Sequence, residues 1–190
     1  MFRRVKDGER KTKRNAGPVP EGVKVISETK AEVQRYQVAL TVNGKERVAE
    51  VQANLTLLEL LRDELGYPGT KVGCETGDCG ACTVLIDGEP MNSCLVLAVE
   101  AEGRAITTIE GVEKEGQLDE LQEAFIAHGA VQCGYCSPGM ILASRALLNR
   151  NPNPTRDEAI EAISGNLCRC TGYVKIVDAI MAAANAKLGL

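Results

Sequence analysis

Tryptophan is missing from this chain, and two Phe, four Tyr and one His are all it holds of the ring-bearing residues that most often line binding surfaces. So few rings exclude base-stacking platforms and broad aromatic interfaces as themes. No apolar run approaches the ~20 residues that a membrane-spanning helix needs. No Gly-x-Gly-x-x-Gly follows a strand pattern, and no P-loop occurs. Also missing is any Ser/His/Asp or Cys/His arrangement with residues to spare for nucleophilic chemistry. Arg3-Arg4 invites a twin-arginine export reading, but Val5-Lys6-Asp7-Gly8-Glu9-Arg10 stands where an apolar region should follow, so that reading fails. The expectation is a cytoplasmic protein without a transmembrane segment.

What is there is an ordinary globular composition, 44% hydrophobic and 25% charged, with an uneven charge. Residues 1–14 carry seven Lys/Arg against two Asp/Glu, while the whole chain has a formal net charge of −4. A basic head can mark nucleic-acid binding. Neither basic nor aromatic motifs continue into the rest of the chain, and no nucleic-acid partner is expected. The dominant fact is eight cysteines. In a small secreted protein eight would suggest four disulfides. With no export signal, clustered thiols in a reducing compartment point to metal.

Residues 1–33 are polar, broken by Gly17-Pro18-Val19-Pro20, and read as a basic N-terminal extension that docks on a partner subunit or a second copy, the alternative being a solvated tail. From Tyr36 the pattern alternates: Val38, Leu40 and Val42, then Asn43-Gly44 as a hairpin turn, with Val48 and Val51 on the returning strand. Thr56-Leu57-Leu58-Glu59 is a capping box opening a helix with Leu57, Leu60, Leu61 and Leu65 on one face, ended by Gly66. A glycine-rich loop to Cys82 leads into a strand from Thr83 to Ile86, an Asp87-Gly88 turn and a strand near Ala105 to Ile109. That is a compact α+β domain over 34–111. Residues 112–190 read as helical. Leu118, Leu121 and Phe125 share one helix face; Ser137-Pro138 starts a second helix, with Ser as cap and Pro at its first position. Thr155-Arg156-Asp157-Glu158 is a further capping box, and a last helix runs from about Val174 to Lys187. Four helices with short connections suggest a small bundle.

The cysteines fall into two quartets. Cys74, Cys79 and Cys82 have the C-x4-C-x2-C spacing of plant-type [2Fe–2S] sites, with Cys94 as the fourth ligand. A cluster with four thiolates is anionic and seeks N–H donors. Gly73, Gly77 and Gly80 let the backbone approach it closely, whereas zinc needs four thiolates and no glycine cradle. The second quartet is Cys133, Cys136, Cys168 and Cys170, a C-x2-C and a C-x-C pair 31 residues apart. On spacing alone it suits a structural zinc site as well as a cluster. Cys136 directly before a helix start favours anionic charge, because the positive helix end faces it.

Three motifs resolve this by resemblance. Gly69-Thr70-Lys71-Val72-Gly73-Cys74 with Gly77-Asp78-Cys79-Gly80-Ala81-Cys82-Thr83-Val84 is one, and Gln132-Cys133-Gly134-Tyr135-Cys136-Ser137-Pro138-Gly139 is the second. The third is Gly165-Asn166-Leu167-Cys168-Arg169-Cys170-Thr171-Gly172-Tyr173. Together they resemble the iron–sulfur subunit of the molybdenum hydroxylases, the family of xanthine dehydrogenases, aldehyde oxidoreductases, aerobic carbon monoxide dehydrogenases and nicotinate dehydrogenases. The likeness spans roughly residues 36–185.

The resemblance implies a β-grasp, plant-type ferredoxin-like domain followed by a four-helix-bundle iron–sulfur domain, with two [2Fe–2S] clusters. It implies a large molybdopterin-binding subunit and a medium FAD-binding subunit as partners in a heterotrimer, with dimerisation of that trimer left open. By motif match, Gln132 and Cys170 approach the molybdopterin. Electrons then pass from molybdenum to the Cys133/Cys136/Cys168/Cys170 cluster, on to the Cys74/Cys79/Cys82/Cys94 cluster, and finish on FAD. This chain would be the non-catalytic subunit of the oxidoreductase.

Other polar residues have plainer readings. His128, beside Gly129, suits a helix end, and a single His cannot supply Rieske-type ligation, which takes two. Glu75 and Asp78 are read as solvated loop residues, and Arg169 as a partner for anionic cofactor or for an acidic group across an interface. A free-standing two-cluster ferredoxin is the rival function and leaves the Gln132 motif unexplained. A zinc-stabilised binding module is a more distant one.

Overall fold

The computed structural model describes residues 34–188; the docking role expected of residues 1–33 lies outside them. Strand β1 (Arg35–Val42) turns through Asn43 and Gly44, both at positive φ, into β2 (Lys45–Gln52). Val38, Leu40 and Val42 are buried as their alternation requires. Val48 and Val51 stand at odd spacing and so cannot share a face of a pleated strand. Val51 goes inward, and Val48, opposite Ala39 in the register, is exposed rather than part of the core.

Thr56 caps α1 (Leu57–Glu59) through the expected box: its hydroxyl accepts from the Glu59 amide, and the Glu59 carboxylate accepts from the Thr56 amide at 2.9 Å. The helix widens at once into a π-helical turn, Leu60–Glu64, closed by the Leu65 N–H to the Leu60 carbonyl. Leu57, Leu58, Leu60 and Leu61 are all buried along this stretch. Strands β3 (Thr83–Ile86), β4 (Glu89–Asn92) and β5 (Ala105–Thr107) complete a mixed sheet of order β2-β1-β5-β3-β4, in which only the β1–β5 pair is parallel. The expected last strand stops before Ile109, which lies in a 3-10 turn.

The remaining elements are α2 (Glu120–Ala127), α3 (Ser137–Arg150), α4 (Arg156–Ala162) and α5 (Val174–Leu188). Asp119, not an upstream apolar residue, starts α2 with its own capping box to Gln122, so Leu118 lies outside the helix and is exposed. On α3 the cap position falls to Cys136; Ser137 is already helical and buried, and Pro138 sits in the first turn, where a missing N–H costs nothing. His128 closes α2 at the surface.

Two apolar cores meet at β3. Val84 belongs with Val38, Leu40, Leu57, Leu60 and Ile106 under the sheet. Leu85, on the other face, belongs with Leu121, Phe125, Met140, Leu142, Ile176 and Ile180 among the helices. A strand buried on both faces holds the helices against the sheet, each fully buried Leu or Phe contributing about 1.5–3 kcal/mol. Cys82 immediately precedes that strand, so the glycine-rich loop emerges at the seam between the two cores.

Candidate metal centres

The glycine-rich loop is shaped around sulfur. Backbone N–H groups of Thr76 and Cys79 donate to Cys74 Sγ at 3.4 Å each, and the Cys74 N–H donates to Cys79 Sγ at 3.3 Å. A Cβ at Gly73 would lie 2.5 Å from Cys79 Sγ, so only glycine allows that approach. Gly77, at positive φ, is held by Asn92, whose amide donates to its carbonyl at 2.8 Å. Deeper in, Cys82 and Cys94 are buried against Leu58, which supplies the apolar floor.

Electrostatics separate these four thiols. Hydrogen bonds from Thr76 and from the Cys79 amide bring Cys74 down to about 6, while burial, with Cys82 alongside, pushes Cys94 up to about 11. Cys74 is therefore ready to ligate as thiolate, and Cys94 becomes thiolate only with a cation to hold its charge. Glu75 and Asp78 are exposed, and Asp78 only accepts the Thr76 hydroxyl at 2.6 Å, in keeping with solvated loop residues.

The second quartet is built from two distant segments. Cys133 and Cys136 come from the loop before α3, and Cys168 and Cys170 from the turn before α5. Cys170 and Cys133 approach to 3.5 Å, both exposed. Cys136 contacts Cys168 further in, where burial pushes Cys136 up to about 12. Cys133 is lowered by the Tyr135 amide. For Cys168, burial opposes ionisation, but the Thr171 hydroxyl at 3.1 Å and its amide at 3.5 Å outweigh it and lower the thiol. Gln132 is exposed beside Cys133, and Arg169 is exposed between the last two thiols.

Hydrogen bonds join the thiols in pairs, Cys74 with Cys79, Cys82 with Cys94, Cys133 with Cys170 and Cys136 with Cys168, while charge acts across the pairs, from Cys74 on Cys94 and from Cys168 on Cys133 and Cys170. Among the described residues, no three or more His, Cys, Asp or Glu side chains gather as a site for a metal ion. A tetrahedral zinc site gathers four thiolates on one point. A [2Fe–2S] group shares four cysteines between two irons, and paired thiols with N–H groups aimed at sulfur fit that donor pattern.

The two loops also touch each other, which the sequence did not foretell. The Leu167 N–H donates to the Cys79 carbonyl at 2.9 Å, the Asn166 amide reaches the Gly80 carbonyl at 2.8 Å, and the Tyr135 hydroxyl bonds the Val72 carbonyl. Asn166 and Tyr135 lie inside the cysteine motifs, but nothing in their spacing says which loop they reach.

Comparison with known proteins agrees with this geometry. The profile of the 2Fe-2S iron-sulfur cluster binding domain matches residues 40–109, and that of the [2Fe-2S] binding domain matches residues 108–181. The nicotinate dehydrogenase small FeS subunit of Eubacterium barkeri is 48% identical over 148 residues, 78% of this chain and 94% of that protein. The nicotine 6-hydroxylase small subunit of Paenarthrobacter nicotinovorans is 49% identical over 149 residues, covering 78% of this chain and 90% of its own length. In crystal structures, a chain of quinoline 2-oxidoreductase from Pseudomonas putida superposes with a TM-score of 0.78 at 51% identity, over 82% of this chain and 98% of that one.

Proposed function

The chain belongs to the iron–sulfur subunits of the molybdenum hydroxylase family and carries electrons in an oxidoreductase, and from that premise we propose how its residues divide the work. Cys74, Cys79, Cys82 and Cys94 hold one [2Fe–2S] cluster, and Cys133, Cys136, Cys168 and Cys170 hold the other. When bound, each cluster supplies a one-electron store. The boundary between the units that carry them falls near residue 111, with a β-grasp unit before it and a four-helix bundle after it.

The observation that carries the assignment is the pairing of thiols within each quartet, combined with amides directed at their sulfurs. N–H groups of Thr76, Cys79 and Thr171 stabilise added negative charge on sulfur, which makes reduction easier. Leu58 keeps water from the Cys82/Cys94 side. The second quartet is arranged for a partner. Its outer pair, Cys133 and Cys170, is exposed, and around it Val131, Tyr135, Leu167, Tyr173 and Val174 are exposed as well, Leu167 to 56%. Exposed apolar side chains close in sequence to an open thiol pair suit burial under another subunit.

The partner read here is a large molybdopterin-binding subunit, approached by Gln132 and Cys170, with a medium subunit carrying FAD next to the first quartet. Electrons enter at the second quartet and leave from the first. The assembly is a heterotrimer in the cytoplasm; no described helix is long and apolar enough to cross a membrane. Reductive titration of the assembled Cys170→Ser variant tests the order. Substrate should no longer reduce the flavin at the normal rate, and a normal rate would overturn the order.

A further inference from the structure

Asn166 is 5% exposed, and its amide nitrogen makes two hydrogen bonds, both to the far side of the sequence: the Gly80 carbonyl at 2.8 Å and Thr83 Oγ1 at 3.0 Å. Gly80 lies between Cys79 and Cys82, and Thr83 follows Cys82. The next residue, Leu167, donates its N–H to the Cys79 carbonyl at 2.9 Å and is joined covalently to Cys168. Two consecutive residues of the second loop thus grip two consecutive carbonyls of the first. Thr83 completes the grip by donating its hydroxyl to the same Gly80 carbonyl at 2.7 Å, which leaves its lone pairs for Asn166.

Sterics confirm how closely the segments meet. Gly80 has φ +65°, and a Cβ there would run into the Gly165 carbonyl and Asn166. A Cβ on Gly139, in the first turn of α3, would strike the Gly80 carbonyl and Asn166 Nδ2. Three backbone segments therefore close on one buried amide, and no other side chain of that size offers two donors there.

We propose that Asn166 is a positioning residue: it locks the first-quartet loop to the second and so fixes the separation across which electrons move between them. This deepens the assignment of the eight cysteines as ligands and rests on it. The residue touches no reacting group itself. It acts through the Gly80 carbonyl and Thr83 Oγ1, next to the Leu167 N–H on the Cys79 carbonyl; loss of its two donors removes both side-chain links between the loops, while the Gly80 carbonyl keeps the Thr83 N–H and hydroxyl.

The test uses the full chain with its clusters in place, comparing wild type with Asn166→Leu, which keeps the branched outline and removes both donors, and with Thr83→Val, which removes one acceptor together with the hydroxyl that donates to Gly80. Two readouts go beyond stability. One is the magnetic interaction between the two reduced clusters, seen as splitting or enhanced relaxation in electron paramagnetic resonance. The other is hydrogen exchange at the Leu167 amide. In Asn166→Leu, iron content should hold, the interaction should weaken and the Leu167 amide should exchange about 10- to 100-fold faster, the effect of one to two buried hydrogen bonds. Thr83→Val should change both in the same direction by less. If Asn166→Leu loses iron, Thr83→Val alone decides. Unchanged interaction and exchange in the iron-replete variants would overturn the lock. Failure of the ligand assignment looks different: the wild type itself would show no pair of interacting signals, while Leu167 exchange would still report on the lock.

Discussion

The two thiol quartets reach the same donor pattern by opposite routes. The first is local: three of its cysteines lie within nine residues of one loop, and glycines bring the backbone onto sulfur. The second is assembled by tertiary structure, from loops that meet only because α3, α4 and α5 pack around Met140, Ile163 and Ile176. Both have a more open pair and a deeper pair, half-buried Cys74 and Cys79 in the first and exposed Cys133 and Cys170 in the second, but the first lies at the seam of the two cores and the second on an exposed apolar face. A site made by a loop should tolerate disturbance elsewhere. One made by helix packing should inherit the stability of its core.

The largest effects should come from ligands. Cys82→Ser and Cys136→Ser should each remove about half of the iron and acid-labile sulfide, each from its own site, because a [2Fe–2S] group needs four cysteines. Loss of all iron from Cys136→Ser would mean that the first site is not locally built. Next comes Met140→Ala, a fully buried side chain among the helices. It should cost about 2–5 kcal/mol and weaken iron retention at the second site before the first, read by denaturant titration followed at each cluster's absorption. Equal loss at both sites would break the comparison.

A smaller effect is expected at the α4 cap. Thr155→Ala removes the acceptor of the Glu158 amide and should cost about 1 kcal/mol, lowering the midpoint of the helical part alone. Thiol chemistry sharpens the inner and outer distinction with no mutation. In the cluster-free chain, Cys74, held near 6, is thiolate above that pH and loses reactivity below it, whereas Cys94 near 11 and Cys136 near 12 remain thiols at neutrality. Iodoacetamide at pH 7 should therefore modify Cys74 first, located by peptide mass. Cys136 reacting before Cys74 would contradict the assigned environments.

Much of this was legible where chemistry and spacing coincide. The capping boxes at Thr56 and Thr155 and the Asn43-Gly44 turn act within four residues, so the sequence shows them directly. The first quartet was legible for the same reason. The second was ambiguous by spacing, since packing decides where cysteines with 31 residues between them meet, and only resemblance resolved it. Val48 and Val51 were legible as strand residues, but strand position alone does not say which of the two faces the core. No local signal announces the π-helical turn after Glu59. Asn166 was visible as a residue and invisible as a bridge, because its partners lie more than 80 residues away.

The central claim is that the two quartets hold two unlike clusters of one kind. The most direct measurement is electron paramagnetic resonance of the dithionite-reduced full chain, integrated against protein, with iron, sulfide and zinc determined on the same sample. The account predicts two distinguishable [2Fe–2S] signals, one spin each, with iron equal to sulfide and no stoichiometric zinc. A single signal with half the iron and one zinc per chain would contradict it and return the second quartet to a structural zinc site.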